Sequence, residues 1–273
     1  MPVITNLSLA DPRLLDFANL TDVQLRSASE PAQGLFLAES PKVILRALHA
    51  GFHPRAVLLT AKWLESIEPL IKAYPDVPIF VGTAEQLEAV SGFRMHRGAI
   101  ASFERPEPEP LHEIVRDAKT VVVLEDLVDH ANVGAVFRSA AALGADAVIL
   151  SPSCADPLYR RAVRVSMGAV LQVPWMRSND LIQTLEQLSQ EGFQTVALAL
   201  DDRASTLREY VPVAPDKVAL VLGSEGEGLS RRTLAAAEKL VTIPMANGID
   251  SLNVSTCAAL ALWSLQQRVS SGQ

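Results

Sequence analysis

Apolar and polar positions follow two periods that alternate along most of the chain. Residues 41–52, "PKVILRALHAGF", place apolar side chains at helical spacing, whereas "RAVLLT" (55–60) and "PIFVG" (78–82) are short β-rich runs. The helical pattern returns in "TAEQLEAVSGF" (83–93), for which Thr83 is the expected N-cap. Helices alternating with strands predict a small α/β layer in this part of the chain.

Downstream the alternation is stronger. The runs "TVVVLED" (120–126), "DAVILS" (146–151), "TVALAL" (195–200), "KVALVLG" (217–223) and "LVTIPM" (240–245) predict strands. Helices are predicted for "NVGAVFRSAAALGA" (132–145), "DLIQTLEQLSQEG" (180–192), "SRRTLAAAEK" (230–239) and "SLNVSTCAALALWSLQQRV" (251–269). Strands that are apolar throughout, separated by helices, signal a parallel sheet covered on both faces, so the fold class is α/β. No internal repeat is visible. Between the two regions, "FERPEPEPLHE" (103–113) alternates proline with glutamate, a composition suited to an extended spacer, with a buried edge turn as the alternative. The domain boundary is placed there.

Composition narrows the class. With 273 residues, nearly half of them apolar, the chain can bury a sizeable core. No apolar run approaches the roughly 18 residues a membrane span needs, and "MPVITNLSLADPRLLDF" lacks a basic region followed by an apolar one, so a cytoplasmic protein without a membrane partner is expected. Cys154 and Cys257 lie far apart with no C-x-x-C spacing, which predicts buried free thiols and no metal site. The net charge of −7 opposes bulk electrostatic coating of nucleic acid but leaves local basic clusters open.

In an open parallel sheet, ligands collect beyond the carboxyl ends of the strands, and three such places carry candidate chemistry. "LEDLVDHANVGAVFRSA" offers Asn132 and Arg138, which a helix cap and a solvated arginine would also explain. "VLGSEGEGLS" has no lysine followed by Ser or Thr, so it is no Walker loop; its glycines permit close approach of a ligand beside Glu225, or simply a turn and helix start through Gly226, Gly228 and Ser230. "IPMANGIDSLNVS" leaves backbone amides near Ser251 and Asn253 for a ligand, unless Asp250 or Ser251 caps the helix.

In this order, "NVGAVFRSA", "LVLGSEGEGLS" and "IPMANGIDSLNVS", with "VRVSMGAVLQVPW" between the first two, resemble the motifs of the SpoU (TrmH) family of RNA ribose 2'-O-methyltransferases, within the SPOUT superfamily. The match spans residues 121–265. It implies a trefoil-knotted parallel-sheet domain over 118–273, a linker over 105–117, S-adenosylmethionine as methyl donor, and a homodimer. A weaker resemblance over "GLFLAESPKVILRALHAGFHPRAVLLT" and "GFRMHRGAIASF" implies a smaller ribosomal-protein-like RNA-binding domain over 1–104. Where the family usually has proline before the first motif's asparagine segment, this chain has His130 in "DHAN", which should alter the loop geometry.

By this resemblance the donor lies against Leu222, Gly223, Ile243, Met245 and Leu252. Arg138 addresses the 2'-hydroxyl, with Asn132, Glu225, Ser251 and Asn253 as its supporting shell. RNA contacts are expected from Arg160, Arg161 and Arg164 beside the active site, and from Arg94, His96 and Arg97 on the N-terminal domain. The expected substrate is ribosomal RNA in preference to transfer RNA. Two other classes stay open: a ribosome-associated RNA-binding module without transfer activity, and a nucleotide-dependent oxidoreductase, which the missing glycine fingerprint after the first strand disfavours.

Overall fold

A computed structural model describes residues 2–8, 11–95, 98–224, 226–249 and 251–270. The chain forms two compact units, one of Met1–Glu107 with Leu158–Gln172, the other of Pro108–Pro157 with Val173–Gln273.

In the first unit, five strands are ordered β1-β4-β3-β5-β2: β1 (Val3–Ile4), β2 (Leu35–Glu39), β3 (Pro54–Thr60), β4 (Ile79–Gly82) and β5 (Ala99–Glu104). β1, β4 and β3 run parallel, while β5 is antiparallel to both β3 and β2. The predicted runs 55–60 and 78–82 are therefore neighbours in one sheet. Thr83 caps the helix Ala84–Ser91 as expected: its Oγ1 accepts from the Gln86 amide at 3.3 Å, and the Gln86 side chain accepts from the Thr83 amide at 2.8 Å. The proline-glutamate segment is irregular and exposed over 106–110.

Residues 158–172 group with the first unit. Their helix, Arg160–Val165, packs on β2 of the first unit. β2 is buried along its whole length, and Glu39 within it is 6% exposed, so its carboxylate needs cationic partners, which this segment supplies.

Among the described residues the second unit holds seven strands, all parallel, ordered β10-β12-β9-β11-β6-β7-β8. They are β6 (Thr120–Leu124), β7 (Ala147–Leu150), β8 (Trp175–Arg177), β9 (Gln194–Leu198), β10 (Ser205–Thr206), β11 (Val218–Leu222) and β12 (Lys239–Thr242). This is the parallel sheet that the unbroken apolar runs predict. On one face, Val121, Val123, Ile149 and Val221 meet Leu181, Leu185 and Leu188 of the helix Leu181–Gln190. Burying each of these large side chains contributes about 1.5–3 kcal/mol. The helix His130–Ala142 buries Val133, Val136, Phe137 and Ala140, and the long helix Val254–Ser270 packs along it with Ala258, Ala261, Leu262 and Leu265 buried.

Both cysteines are free, and Cys154 is buried as expected. Cys257 is only half-buried, because its side of the last helix faces a cavity. Among the described residues no helix is long and apolar enough to cross a membrane.

Candidate active site

A cavity of about 340 Å³ opens at the carboxyl ends of β9, β11 and β12, within the roughly 300–1,000 Å³ usual for small-molecule sites. One wall is Leu198–Leu200; a second is the loop that begins at Leu222 and Gly223 and ends at Leu229; a third is Ile243 and Met245 with Ser251 and Leu252. All five residues expected to hold the donor line it. The first wall, with Leu234 and Cys257, was not expected, although the rule that points to the carboxyl ends of parallel strands applies equally to β9.

Gly223 is where this wall turns back on itself. A Cβ there would sit 2.3 Å from the carbonyl carbon of Gly228 and 2.4 Å from its oxygen. Gly228 has φ of +69° and its amide donates to the Ser224 carbonyl oxygen at 3.2 Å. These glycines close a short loop against its own backbone; Ser230 then caps the helix Arg231–Ala236 by accepting from the Thr233 amide at 3.1 Å. Glu225, expected within this loop, lies outside the described residues, as does Asp250.

Glu125, directly after β6, was not singled out from the sequence. The residue is 7% exposed, and its carboxylate accepts from the Ser230 amide at 2.9 Å and from the Thr233 hydroxyl at 2.6 Å. It ties the end of β6 to the start of the Arg231–Ala236 helix.

The structure brings Asn132 and Asn253 together across 121 residues of sequence, with Asn253 Nδ2 donating to Asn132 Oδ1 at 3.1 Å. Neither Asn132 nor Ser251 is the cap of its helix. Asp129 caps the helix His130–Ala142 by accepting from the Ala131 amide at 2.6 Å, which places Asn132 inside the first turn. Asn253, in place of Ser251, caps the last helix, since its Oδ1 accepts from the Ser255 amide at 2.9 Å. His130 is the first residue of its helix and half-buried. Arg138 is exposed on that helix, roughly 1.7 turns beyond Asn132, and is not part of the cavity wall.

Behind Leu200 the turn is braced by Asp201, which accepts from the Arg203 amide at 2.9 Å and from its guanidinium at 2.9 and 2.8 Å. The Arg203 side chain holds the Asp201 carboxyl down to about 2.

The arginines expected to bind RNA divide into two kinds. Arg94, Arg161 and Arg164 are exposed, and Arg97 and His96 lie outside the described residues. Arg160, expected as an RNA contact, has its guanidinium engaged within the first unit. Its guanidinium lies 3.4 Å from the Glu39 carboxylate, donates to the Leu20 carbonyl at 3.1 Å and stacks 4.5 Å from the Phe93 ring centre. Burial pulls its pKa below the usual arginine value.

An apolar cavity at the carboxyl ends of neighbouring parallel strands, with a glycine loop on one side and the start of the last helix on the other, is the place where α/β proteins bind small molecules. The model of the SpoU rRNA Methylase family matches residues 119–263. A Mycobacterium bovis protein named uncharacterized tRNA/rRNA methyltransferase Mb0905 is 40% identical over 255 residues, covering 93% of this chain and 88% of the relative. The Salmonella typhi 23S rRNA (guanosine-2'-O-)-methyltransferase RlmB is 32% identical over 215 residues, 76% of this chain and 87% of the relative. Among solved structures, an RNA 2'-O ribose methyltransferase superposes with a TM-score of 0.77 at 30% identity, covering 98% of this chain and 99% of the other. The AdoMet-bound rRNA methyltransferase from Sinorhizobium meliloti, at 24% identity, shares the fold with a TM-score of 0.83 and 98% coverage of both chains. The chain belongs to the SpoU rRNA methylase family and, by that membership, is an RNA methyltransferase.

Proposed function

We propose that the protein transfers a methyl group from S-adenosylmethionine to a ribose 2'-hydroxyl of structured RNA, ribosomal in preference to transfer RNA. The observation that carries this reading is the cavity in which Leu222, Gly223, Ile243, Met245 and Leu252 form the walls. Its apolar sides suit a purine face, and the absence of a side chain at Gly223 lets the loop backbone pack closely beside it. Solved relatives bound to AdoMet and the ribose-methylating RlmB relative support the donor and the reaction.

When bound, the donor supplies an electrophilic methyl group on a sulfonium. The rest of the chemistry falls to the chain. Holding the hydroxyl in line can supply up to roughly 7–11 kcal/mol of barrier lowering, which requires a rigid frame. The Asn132–Asn253 hydrogen bond fixes the starts of two packed helices, and Ser251 stands at the cavity rim. The Arg138 guanidinium orients the hydroxyl beside a phosphate and stabilises negative charge as it develops on the oxygen. Glu225 belongs to the same group by the motif.

The trefoil knot, the homodimer, cytoplasmic residence and an RNA-binding role for the first unit belong to the same proposal. The knot rests on membership of the family. Leu260 and Trp263, 40% and 54% exposed one turn apart on the last helix, support a self-association face. Light scattering should give twice the chain mass, and Trp263→Glu should halve it; a monomeric parent would refute the dimer.

The direct test combines donor calorimetry with mapping of methylated ribose in ribosomal and transfer RNA treated with the purified protein. Donor binding and a 2'-O-methyl mark in ribosomal RNA are expected. A methylated base, or RNA binding without donor binding, would overturn the reading.

A further inference from the structure

Arg177, the last residue of β8, makes a set of contacts that the donor cavity does not use. Its Nη1 donates to the carbonyl oxygens of Ser151, Pro152 and Cys154 at 3.1, 3.1 and 2.7 Å, and its Nη2 to that of Ala155 at 3.4 Å. One half-buried guanidinium thus gathers four backbone acceptors from the loop after β7, acceptors that would otherwise need partners of their own. A lysine ammonium has no planar fork of this kind.

That loop in turn holds the one after β6. Ser151 Oγ donates to Asp126 Oδ1 at 2.7 Å and accepts from the Asp126 amide at 2.9 Å. The Ala155 amide donates to the Leu127 carbonyl at 2.8 Å, and the Cys154 thiol to the Leu124 carbonyl at 3.3 Å. Asp126 has φ of +56°, a left-handed conformation that a non-glycine residue keeps only when its surroundings hold it. Two residues beyond Leu127, Asp129 caps the helix that carries Asn132 and Arg138.

We infer that Arg177 is a positioning residue for methyl transfer: by pinning Ser151–Ala155 it fixes Asp126 and Leu127, and through them the entry of the helix bearing Asn132 and Arg138. The inference rests on the transfer reaction proposed above, and it makes no contact with the donor cavity.

The test uses Arg177→Lys, Arg177→Met and Ser151→Ala in the full chain. Both arginine variants should lower kcat by roughly 10- to 100-fold, the effect of a displacement of about 1 Å remote from the chemistry. Donor Kd should stay within about twofold. Hydrogen exchange at the Asp126 and Ala155 amides should quicken at least about tenfold while the amides of β11 keep their protection. Should Arg177→Met fail to fold, Ser151→Ala breaks the next link with Arg177 intact and should reproduce the kcat loss. Unchanged exchange at Asp126 and Ala155, full kcat in Arg177→Lys, or donor affinity falling in step with kcat would each overturn the inference. A parent protein that transfers no methyl group would refute the proposed reaction instead, and the exchange comparison would still decide whether Arg177 holds the loop.

Discussion

Gly223 lines the cavity and Asn253 heads the helix whose Val254 and Cys257 line it, each held by a constraint that one atom can break. A methyl group at Gly223 would lie 2.3 Å from the Gly228 carbonyl carbon, so Gly223→Ala must push the loop outward. Overpacking of this kind costs about 1–3 kcal/mol, so calorimetry should show donor affinity roughly 10- to 100-fold weaker; parent-like affinity would mean that the loop is not part of the site. Asn253 has two separable duties. Asn253→Asp keeps the oxygen that caps the last helix but loses the donor to Asn132, so urea unfolding should be near normal while transfer drops. Asn253→Ala should lose about 1 kcal/mol of stability as well. Arg138→Ala should abolish transfer and leave donor binding intact in a radiolabelled methyl assay, since Arg138 is not part of the cavity wall; near-normal turnover would sink its role. At Asp201 the folded carboxyl, near 2 against an ordinary 3.8, stabilises the turn fully above about pH 4 and loses that contribution as pH falls through about 2. NMR titration should find that low midpoint, and donor binding should show no step from this group between pH 5 and 8. Asn132, Asn253 and the cavity residues were legible because their motifs are local strings. Glu125 was not, because its meaning lies in two donors more than a hundred residues away.

The most readable elements were the strands β6, β7 and β11, which are buried and apolar almost throughout; β9 and β12 keep apolar centres with polar residues at their ends. β8 and β10, three and two residues long at the edges of the sheet, carry too few side chains to show a period. β2 and β5 were quoted only within a wider resemblance, and without regular alternation a short apolar run does not separate strand from helix. The coupling of elements is where Glu125 acts, joining β6 to the Arg231–Ala236 helix. Glu125→Ala leaves the Ser230 amide and Thr233 hydroxyl unsatisfied and should cost about 2–3 kcal/mol in urea unfolding. Glu125→Gln, which keeps an acceptor, should cost less; equal losses would show that the charge alone matters.

Across the whole molecule, a net charge of −7 means that RNA must be met by local arginines. Arg94→Ala and Arg161→Ala should each flatten the salt dependence of RNA binding by about one unit of slope. Arg160→Met should leave that slope alone and destabilise the first unit, since its guanidinium serves Glu39, Leu20 and Phe93; a flattened slope without lost stability would reverse the assignment. The interruption at 158–172 left no trace in the sequence pattern, because Arg160 and Glu39 stand 121 residues apart and periodicity reports only on neighbours. It also sets an order of assembly on the ribosome. Domains made first usually fold first, yet the unit that begins this chain lacks the Arg160–Val165 helix on β2, and the cations that helix sets beside Glu39, until that segment has emerged. By then β6 and β7 of the other unit have already been made. The N-terminal unit is thus begun first and completed in the middle of its neighbour's synthesis, and a nascent chain arrested near residue 110 should be cut by protease where one arrested past residue 172 resists.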